Sequence, residues 1–189
     1  MDYNHIMLRF LDIFFSFFGM LFLSPLLIFI YVISLTEGND PLFVQERLGK
    51  EKRPFKLIKF RTMKPNTESI ASHLISKDQI TTFGKFLRSS KIDELPQLWN
   101  VFKGEMSFVG PRPNLSNQLE LIKQRDMHKV YRSLPGITGL AQIKKIDMSK
   151  PKLLAITDSE MLQTLNLKNY FFYIIKTIFG SGSGDAVER

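Results

Sequence analysis

Ile13–Leu35 (IFFSFFGMLFLSPLLIFIYVISL) runs for 23 residues without a charge, and 16 of those residues are Leu, Ile, Phe or Val. Seven of the chain's 17 Phe fall within the first 35 residues. The run is too long for a secretory signal, and no small-residue cleavage site follows it. A helix packed inside a soluble core would seldom be apolar on every face. The segment is therefore expected to enter a membrane, where its aliphatic and aromatic side chains contribute about −5 to −10 kcal/mol toward insertion.

Ser24-Pro25 sits at the middle of the run. Pro25 has no N–H to give the carbonyl of Leu21, and its ring crowds that carbonyl, so a bend is expected there. The Ser24 hydroxyl can serve the freed backbone group. Each half alone would rise only about 16–18 Å against a hydrocarbon layer of about 30 Å. Two geometries follow, a kinked spanning helix or a helix–break–helix that enters and leaves by one face.

The whole chain has 189 residues, no cysteine, 26 Lys+Arg and 18 Asp+Glu, a formal charge of +8. The missing cysteines exclude a disulfide scaffold, a thiol nucleophile and any Cys-ligated metal. His5, His73 and His128 are far apart in sequence, which argues against a zinc site. Three segments are expected: 1–36 in the membrane, 37–179 as one cytosolic domain, and 180–189, opening GSGSG, as a linker remnant. Beyond residue 36 the net charge is +9, which suits the cytoplasmic face, anionic lipid and phosphorylated substrates. No recognition helix, RNA-binding aromatic motif or zinc finger is visible, so nucleic acid is not an expected partner.

In the basic segment, Leu42–Glu46 and Phe55–Met63 alternate apolar and polar residues around a Gly49-Lys50-Glu51 turn, the pattern of a β-hairpin. Thr82 is read as the cap of a helix ending near Ser89. A second helix is expected from about Asp93, with Leu95, Leu98, Trp99 and Phe102 on one face and Gly104 as the stop. Met106–Val109 reads as a strand, Leu115–Tyr131 and Leu153–Leu165 as helices, Pro135–Gly139 as a rigid loop. Leu167–Phe179 fits either a core helix or one lying in the headgroup layer.

Three places could carry chemistry. Adjacent acids at a helix start, Asp93-Glu94, ordinarily favour the helix dipole; as functional groups they could supply a nucleophile, a base, or two ligands for Mg²⁺ bridging to a diphosphate. Arg112, stiffened between Pro111 and Pro113, is aimed well for a phosphate, though a surface arginine in a turn would look the same. Lys56, Lys59 and Arg61 lie on the expected second strand, the last two on one face. No P-loop or dinucleotide-binding glycine fingerprint occurs.

The run Arg88–Val101 (RSSKIDELPQLWNV) followed by Gly104–Pro113 (GEMSFVGPRP) closely resembles bacterial sugar transferases, the monotopic phosphoglycosyl transferases acting on polyprenol phosphate. Lys59–Met63 (KFRTM) and Pro135–Gln142 (PGITGLAQ) are similar to two further motifs of that family. Arg9 with Asp12, and Ser24-Pro25, resemble its membrane-helix signature, the first pair near lipid and the second marking the break. The resemblance implies an α/β fold: a small antiparallel hairpin with surrounding helices, amphipathic surface helices, and a re-entrant N-terminal helix. It implies that Asp93 attacks a UDP-sugar, releasing UMP, and passes the phosphosugar to undecaprenyl or another polyprenyl phosphate. Glu94 would bind Mg²⁺ with Asp93 and handle protons, Arg112 would hold phosphate, and Lys59, Arg61 and Arg88 would contact phosphate or uridine. The implied location is the bacterial inner membrane, with the catalytic domain facing the cytoplasm in polysaccharide or lipopolysaccharide assembly.

Departures are Glu105 where the family commonly has Asp, Phe102 where Leu is common, and Ile143–Pro151 where many members carry an Asn-Gly-Arg element. Lys144 or Lys145 would have to replace that arginine. The difference points to a subgroup with its own sugar, expected to be an N-acetylated amino sugar. A non-catalytic membrane-anchored binding or assembly subunit is the alternative reading, and homo-oligomerisation is left open.

Overall fold

The computed structural model describes residues 3–37, 40–64 and 79–179. Residues 65–78, and the tail 180–189 expected to be a linker remnant, lie outside them. Helix α1 (Tyr3–Thr36) leads into an antiparallel hairpin of β1 (Leu42–Leu48) and β2 (Pro54–Phe60). Then come α2 (Thr82–Ser89), α3 (Gln97–Lys103), strand β3 (Ser107–Val109), α4 (Leu119–Met127) and strand β4 (Gly136–Thr138). Helices α5 (Leu140–Ile143), α6 (Pro151–Thr164) and α7 (Leu167–Ile178) complete the described chain. The architecture is mixed α/β with the small antiparallel sheet read from the sequence.

Helix α1 is continuous through Pro25, so the expected break does not divide it. The reason is local: the Ser24 hydroxyl donates to the Leu21 carbonyl at 2.7 Å, the very acceptor that Pro25 leaves without an N–H. Thirty-one residues, Ile6–Thr36, are long and apolar enough to cross a membrane, and the helix anchors the protein there.

One face of α1 is covered by the body. Leu8, Asp12, Ser16, Ile30 and Ser34 are buried, while Gly19 lets Leu98 of α3 approach, a Cβ there lying 3.3 Å from its Cδ1. Leu8 joins Val109, Met161, Tyr170 and Tyr173 in a core cluster. Near the other end Ile30 packs with Phe60 and Leu87. Phe10, Phe14, Phe17, Phe22, Ile28 and Phe29 remain exposed on the other side.

Asp12 fastens this helix. Its Oδ1 accepts from the Ser107 hydroxyl and the Phe108 N–H, both at 3.0 Å, and from the Tyr170 hydroxyl at 2.8 Å. Arg9, 3.8 Å from Asp12 Oδ2, donates to the carbonyls of Met106 and Phe102. The pair expected near lipid thus ties α1 to β3 and α7. Burial, then the Asp12 charge, drives the Tyr170 phenol far above its ordinary range, so it stays a donor.

The hairpin matches its expectation, with Leu42 opposite Phe60 and Leu48 opposite Pro54. Its turn is a 3₁₀ turn over Lys50–Lys52 with Glu51 and Lys52 at positive φ. Pro135–Gly139 is not a loop: Gly136–Thr138 forms β4, parallel to β3, pairing Ser107 with Gly136 and Val109 with Thr138. A Cβ on Gly136 would lie 2.0 Å from the Gly110 nitrogen, so this pairing requires glycine. A three-residue strand leaves too little period to read from sequence.

Other boundaries shift for physical reasons. Thr81, not Thr82, caps α2, accepting from the Gly84 N–H at 2.9 Å. The expected helix at Leu115–Tyr131 contracts to α4, because Lys129 adopts a left-handed φ of 57° and starts a 3₁₀ turn at Val130–Arg132. Helix α7 packs by one face: Tyr170 and Tyr173 are buried, while Phe172, Ile175 and Ile178 are exposed.

Replacing Asp12 with Ala removes acceptors from three donors at once. The variant is expected to lose about 2–4 kcal/mol of stability, and Tyr170→Phe about 1 kcal/mol. Thermal unfolding of both variants in one detergent checks the order; equal losses would contradict the assignment of Asp12 as the hub.

Candidate active site

Asp93 and Glu94 do not open a regular helix. Lys91 takes a left-handed conformation (φ 57°, ψ 15°) and Ile92–Glu94 form a 3₁₀ turn. Helix α3 starts only at Gln97, its cap position held by Pro96 without a side-chain cap bond. Proline lacks an N–H to close an earlier α-turn, which explains the delayed start. Both acids are buried, Asp93 4% and Glu94 7% exposed. This is not where two solvated, dipole-stabilising carboxylates would sit.

Glu94 Oε1 receives Arg112 Nη2 at 2.7 Å and Lys59 Nζ at 3.4 Å. Three sequence-predicted residues therefore meet around one carboxylate oxygen, with Asp93 beside it in the same turn. The two cations offset the cost of burying the Glu94 charge. The same guanidinium and ammonium suit a diphosphate brought to Glu94.

Arg61 is bound elsewhere, while Arg88 ends α2 just ahead of the turn that carries both acids. Arg61 lies past the end of β2, donates to the carbonyls of Asp40 (2.8 Å) and Leu42 (3.4 Å), and stands over the Phe43 ring. Arg88 donates to the Thr62 hydroxyl at 2.8 Å. Lys56 is exposed on the hairpin, its carbonyl accepting from Asn100. Lys144 pairs with Glu160 of α6 at 3.7 Å, and Lys145 is exposed at positive φ.

The Arg112 turn is held by residues that sequence reasoning missed. Arg125 is 1% exposed; its Nη1 donates to the Arg112 carbonyl and to Asn114 Oδ1, both at 2.9 Å. Its Nε and Nη2 bind Asp158 Oδ2 at 3.1 and 2.7 Å. Tyr131 donates to the same Asn114 oxygen at 2.8 Å, and Arg47 Nη1 reaches the Pro113 carbonyl at 3.3 Å. Burial raises the Asp158 carboxyl above its ordinary range, opposed by Arg125. A signal existed: Arg125 and Asp158 each stand four residues after a buried leucine, Leu121 and Leu154, so opposite charges occupy the core face of two helices.

Lys59 is positioned through Asn100, which is fully buried. Asn100 Nδ2 donates to the Lys56 carbonyl and to Glu105 Oε2, both at 2.7 Å, while Oδ1 accepts from the Ile58 N–H at 3.2 Å. Glu105 also pairs with Lys103 at 2.6 Å, so this departure from the family pattern is absorbed locally. Phe102 stacks between Trp99 and Phe17, with ring centres 6.0 and 6.2 Å away.

Among the described residues no three His, Cys, Asp or Glu side chains converge as a protein-only metal cage. Asp93 and Glu94 nevertheless fit Mg²⁺ as hard oxygen donors, since this ion commonly takes one or two carboxylates and completes its shell with water and substrate phosphate.

Beside the Ile92–Glu94 turn lies a cavity of about 620 Å³, bounded by α1, α3 and α7. Phe15, Leu23, Leu98, Phe171 and Ile174 give it an apolar wall, and Lys91 and Glu94 are its charged residues. Burial lowers the Lys91 ammonium's pKa, a neighbouring Glu94 charge opposing the shift and Arg112 adding to it.

Truncating Arg125 to Met strands Asp158 as a buried charge, so about 3–5 kcal/mol of stability should be lost. The double variant Arg125→Met with Asp158→Leu should recover much of that loss while leaving the Arg112 turn loose. A double-mutant cycle by chemical unfolding measures the coupling; strictly additive losses would contradict it.

Comparison with known proteins places this chain in a family. The model described as bacterial sugar transferase matches residues 3–182. A UDP-galactose-lipid carrier transferase of Erwinia amylovora is 34% identical over 84% of this chain and 36% of its own length. A UDP-glucose:undecaprenyl-phosphate glucose-1-phosphate transferase of Caulobacter vibrioides is 32% identical over 84% of this chain and 62% of its own. A Bacillus subtilis protein, named as a candidate undecaprenyl-phosphate N-acetylgalactosaminyl 1-phosphate transferase, is 42% identical over 69% and 70%. The chain spans only 32% to 41% of the length of several other curated relatives it matches. With its model matched from the membrane helix through α7, the chain belongs to the bacterial sugar transferase family.

Proposed function

We propose that this protein transfers a phosphosugar from a UDP-sugar to a polyprenyl phosphate, undecaprenyl phosphate being the expected acceptor, and releases UMP. The observation that carries the reading is the buried Asp93-Glu94 pair with Arg112 and Lys59 on Glu94. The names of relatives that act with undecaprenyl phosphate support it. The Bacillus subtilis relative supports an N-acetylated amino sugar as the donor's sugar.

An Asp93 carboxylate oxygen attacks the β-phosphorus of the donor, and the bond from that phosphorus to the oxygen bridging the α-phosphate breaks. UMP leaves and the phosphosugar stays on Asp93 as an acyl phosphate. A phosphate oxygen of the acceptor then attacks the same phosphorus, the Asp93 carboxylate departs, and a polyprenyl diphosphosugar forms. Arg112 and Lys59 can exchange Glu94 for phosphate oxygens as charge moves, giving electrostatic stabilisation in a largely buried site. Glu94, released from them, can take the proton that the acceptor phosphate sheds. With Mg²⁺ held by Asp93 and Glu94, the metal supplies neutralisation of the diphosphate charge.

The membrane arrangement belongs to the same proposal: α1 enters and leaves through one face, the cytoplasmic face of a bacterial inner membrane. Supporting it, the body covers α1 near both ends, at Leu8 and Asp12 and again at Ile30. Those positions lie about 33 Å apart along a helix axis. A helix standing across the bilayer would draw that basic body through the hydrocarbon layer, at a high charge-burial cost. Lying shallow instead, α1 can present its exposed phenylalanines to lipid beside Trp99 and the outer face of α7.

Two experiments test these points. UMP release from a panel of UDP-sugars, with Mg²⁺ and undecaprenyl phosphate, is expected for one sugar type and should fall by at least about 10³-fold in Asp93→Asn. No release from any donor would favour the non-catalytic subunit. For topology, single cysteines placed at Asn4 and Asp40 of this cysteine-free chain should both react with a membrane-impermeant thiol reagent from the cytoplasmic side only. Labelling from opposite sides would contradict the shallow helix.

A further inference from the structure

The cavity beside the acid pair has a chemical polarity of its own. Its wall comes from two apolar helices, α1 through Phe15 and Leu23 and α7 through Ile174 and Ile178. Ile178 and the adjoining Phe179 are 73% and 82% exposed, so the apolar wall continues out to the surface that carries the exposed face of α1. Its charged lining is Glu94 and Lys91, whose ammonium donates to the Thr177 carbonyl at 3.2 Å. That carbonyl belongs to the last turn of α7, where backbone acceptors outnumber donors. The left-handed backbone at Lys91 fixes the origin of its side chain two residues before Asp93.

A UDP-sugar is polar throughout and has no use for such a wall. The cations suited to its phosphates, Arg112 and Lys59, bind Glu94 but do not line this cavity. The large cavity, apolar along α1 and α7 and lined at its charged end by the Lys91 ammonium as well as Glu94, is complementary to an amphiphile with a hydrocarbon tail and an anionic head that Lys91 can bind. We propose that it receives the first isoprene units of the polyprenyl phosphate acceptor and that Lys91 binds the acceptor's phosphate, exchanging the Thr177 carbonyl for it. The inference rests on the phosphosugar-transfer reading and assigns the acceptor half of it to α1, α7 and Lys91. Lys91 is then an acceptor-binding residue and sets the distance between the lipid phosphate and Asp93.

The full chain in lipid nanodiscs provides the test, with undecaprenyl phosphate as the probe and undecaprenol and inorganic phosphate as controls. Lys91→Met should raise the KM for undecaprenyl phosphate by about ten- to a hundredfold, the loss of one charge-assisted hydrogen bond. That rise should exceed any change in KM for the UDP-sugar, and Lys91→Arg should restore most of it. Ile178→Glu, a substitution at an exposed position, should raise the same KM by placing a charge where the tail enters. Binding is read independently of turnover as a thermal shift: undecaprenyl phosphate should stabilise the wild type more than either control, and Lys91→Met should erase the difference. Equal KM changes for donor and acceptor, or a thermal shift that survives in both Lys91→Met and Ile178→Glu, would overturn the proposal. If the wild type released no UMP from any donor, the transfer reading would fail, while the thermal shifts would still decide whether this cavity takes the lipid.

Discussion

The carboxylate of Asp12 sits on a helix that otherwise asks only for lipid, and it is satisfied by the protein rather than by water. Ser107, Phe108 and Tyr170 each donate to one of its oxygens, drawing β3 and α7 onto the same turn of α1. A buried carboxylate deprived of these partners would be costly, so the geometry of the membrane helix against the body is narrowly set. From that contact the rest follows: β3 leads to the Arg112 turn, α7 forms one wall of the apolar cavity, and α3 lies along Gly19. The turn at Ile92–Glu94 brings Glu94 to the edge of that cavity.

Charge is handled inside this frame by local pairing. Glu94 shares one oxygen between Arg112 and Lys59, while Arg125 and Asp158 form a second buried pair that fixes the Arg112 backbone. The first lies next to Asp93, in the same turn. The second has its guanidinium committed to Asp158, Asn114 and the Arg112 carbonyl, so it serves as support. Proline on both sides of Arg112 adds stiffness, and the bond from the Gly136 N–H to the Pro111 carbonyl at 2.9 Å anchors the turn to β4.

Much of this was legible in the chain because the signals were local. The uncharged run announced the membrane helix, alternation announced the hairpin, and motif order announced the family, with Asp93, Glu94, Arg112 and Lys59 named before their meeting was visible. What could not be read was long-range. Lys59 and Arg61 share a strand face by parity, yet β2 ends at Phe60 and the chain turns, sending Arg61 to Asp40 and Leu42. Asp12 looked like a charge at a lipid boundary because its three donors come from residues 107, 108 and 170. Pro25 promised a break, and the serine before it supplied the bond that lets the helix continue. Arg125 and Asp158 left a local trace, each four residues after a leucine, but their pairing spans 33 residues.

The central claim is that Asp93 carries the phosphosugar between the two substrates. Its most direct measurement is the mass of the intact protein, followed by peptide mapping, after mixing with the UDP-sugar and Mg²⁺ in the absence of any polyprenyl phosphate. The account predicts a mass increase equal to one phosphosugar, mapped to the peptide holding Asp93 and discharged when undecaprenyl phosphate is added. Turnover with acceptor but no such adduct, or an adduct on another residue, would contradict it.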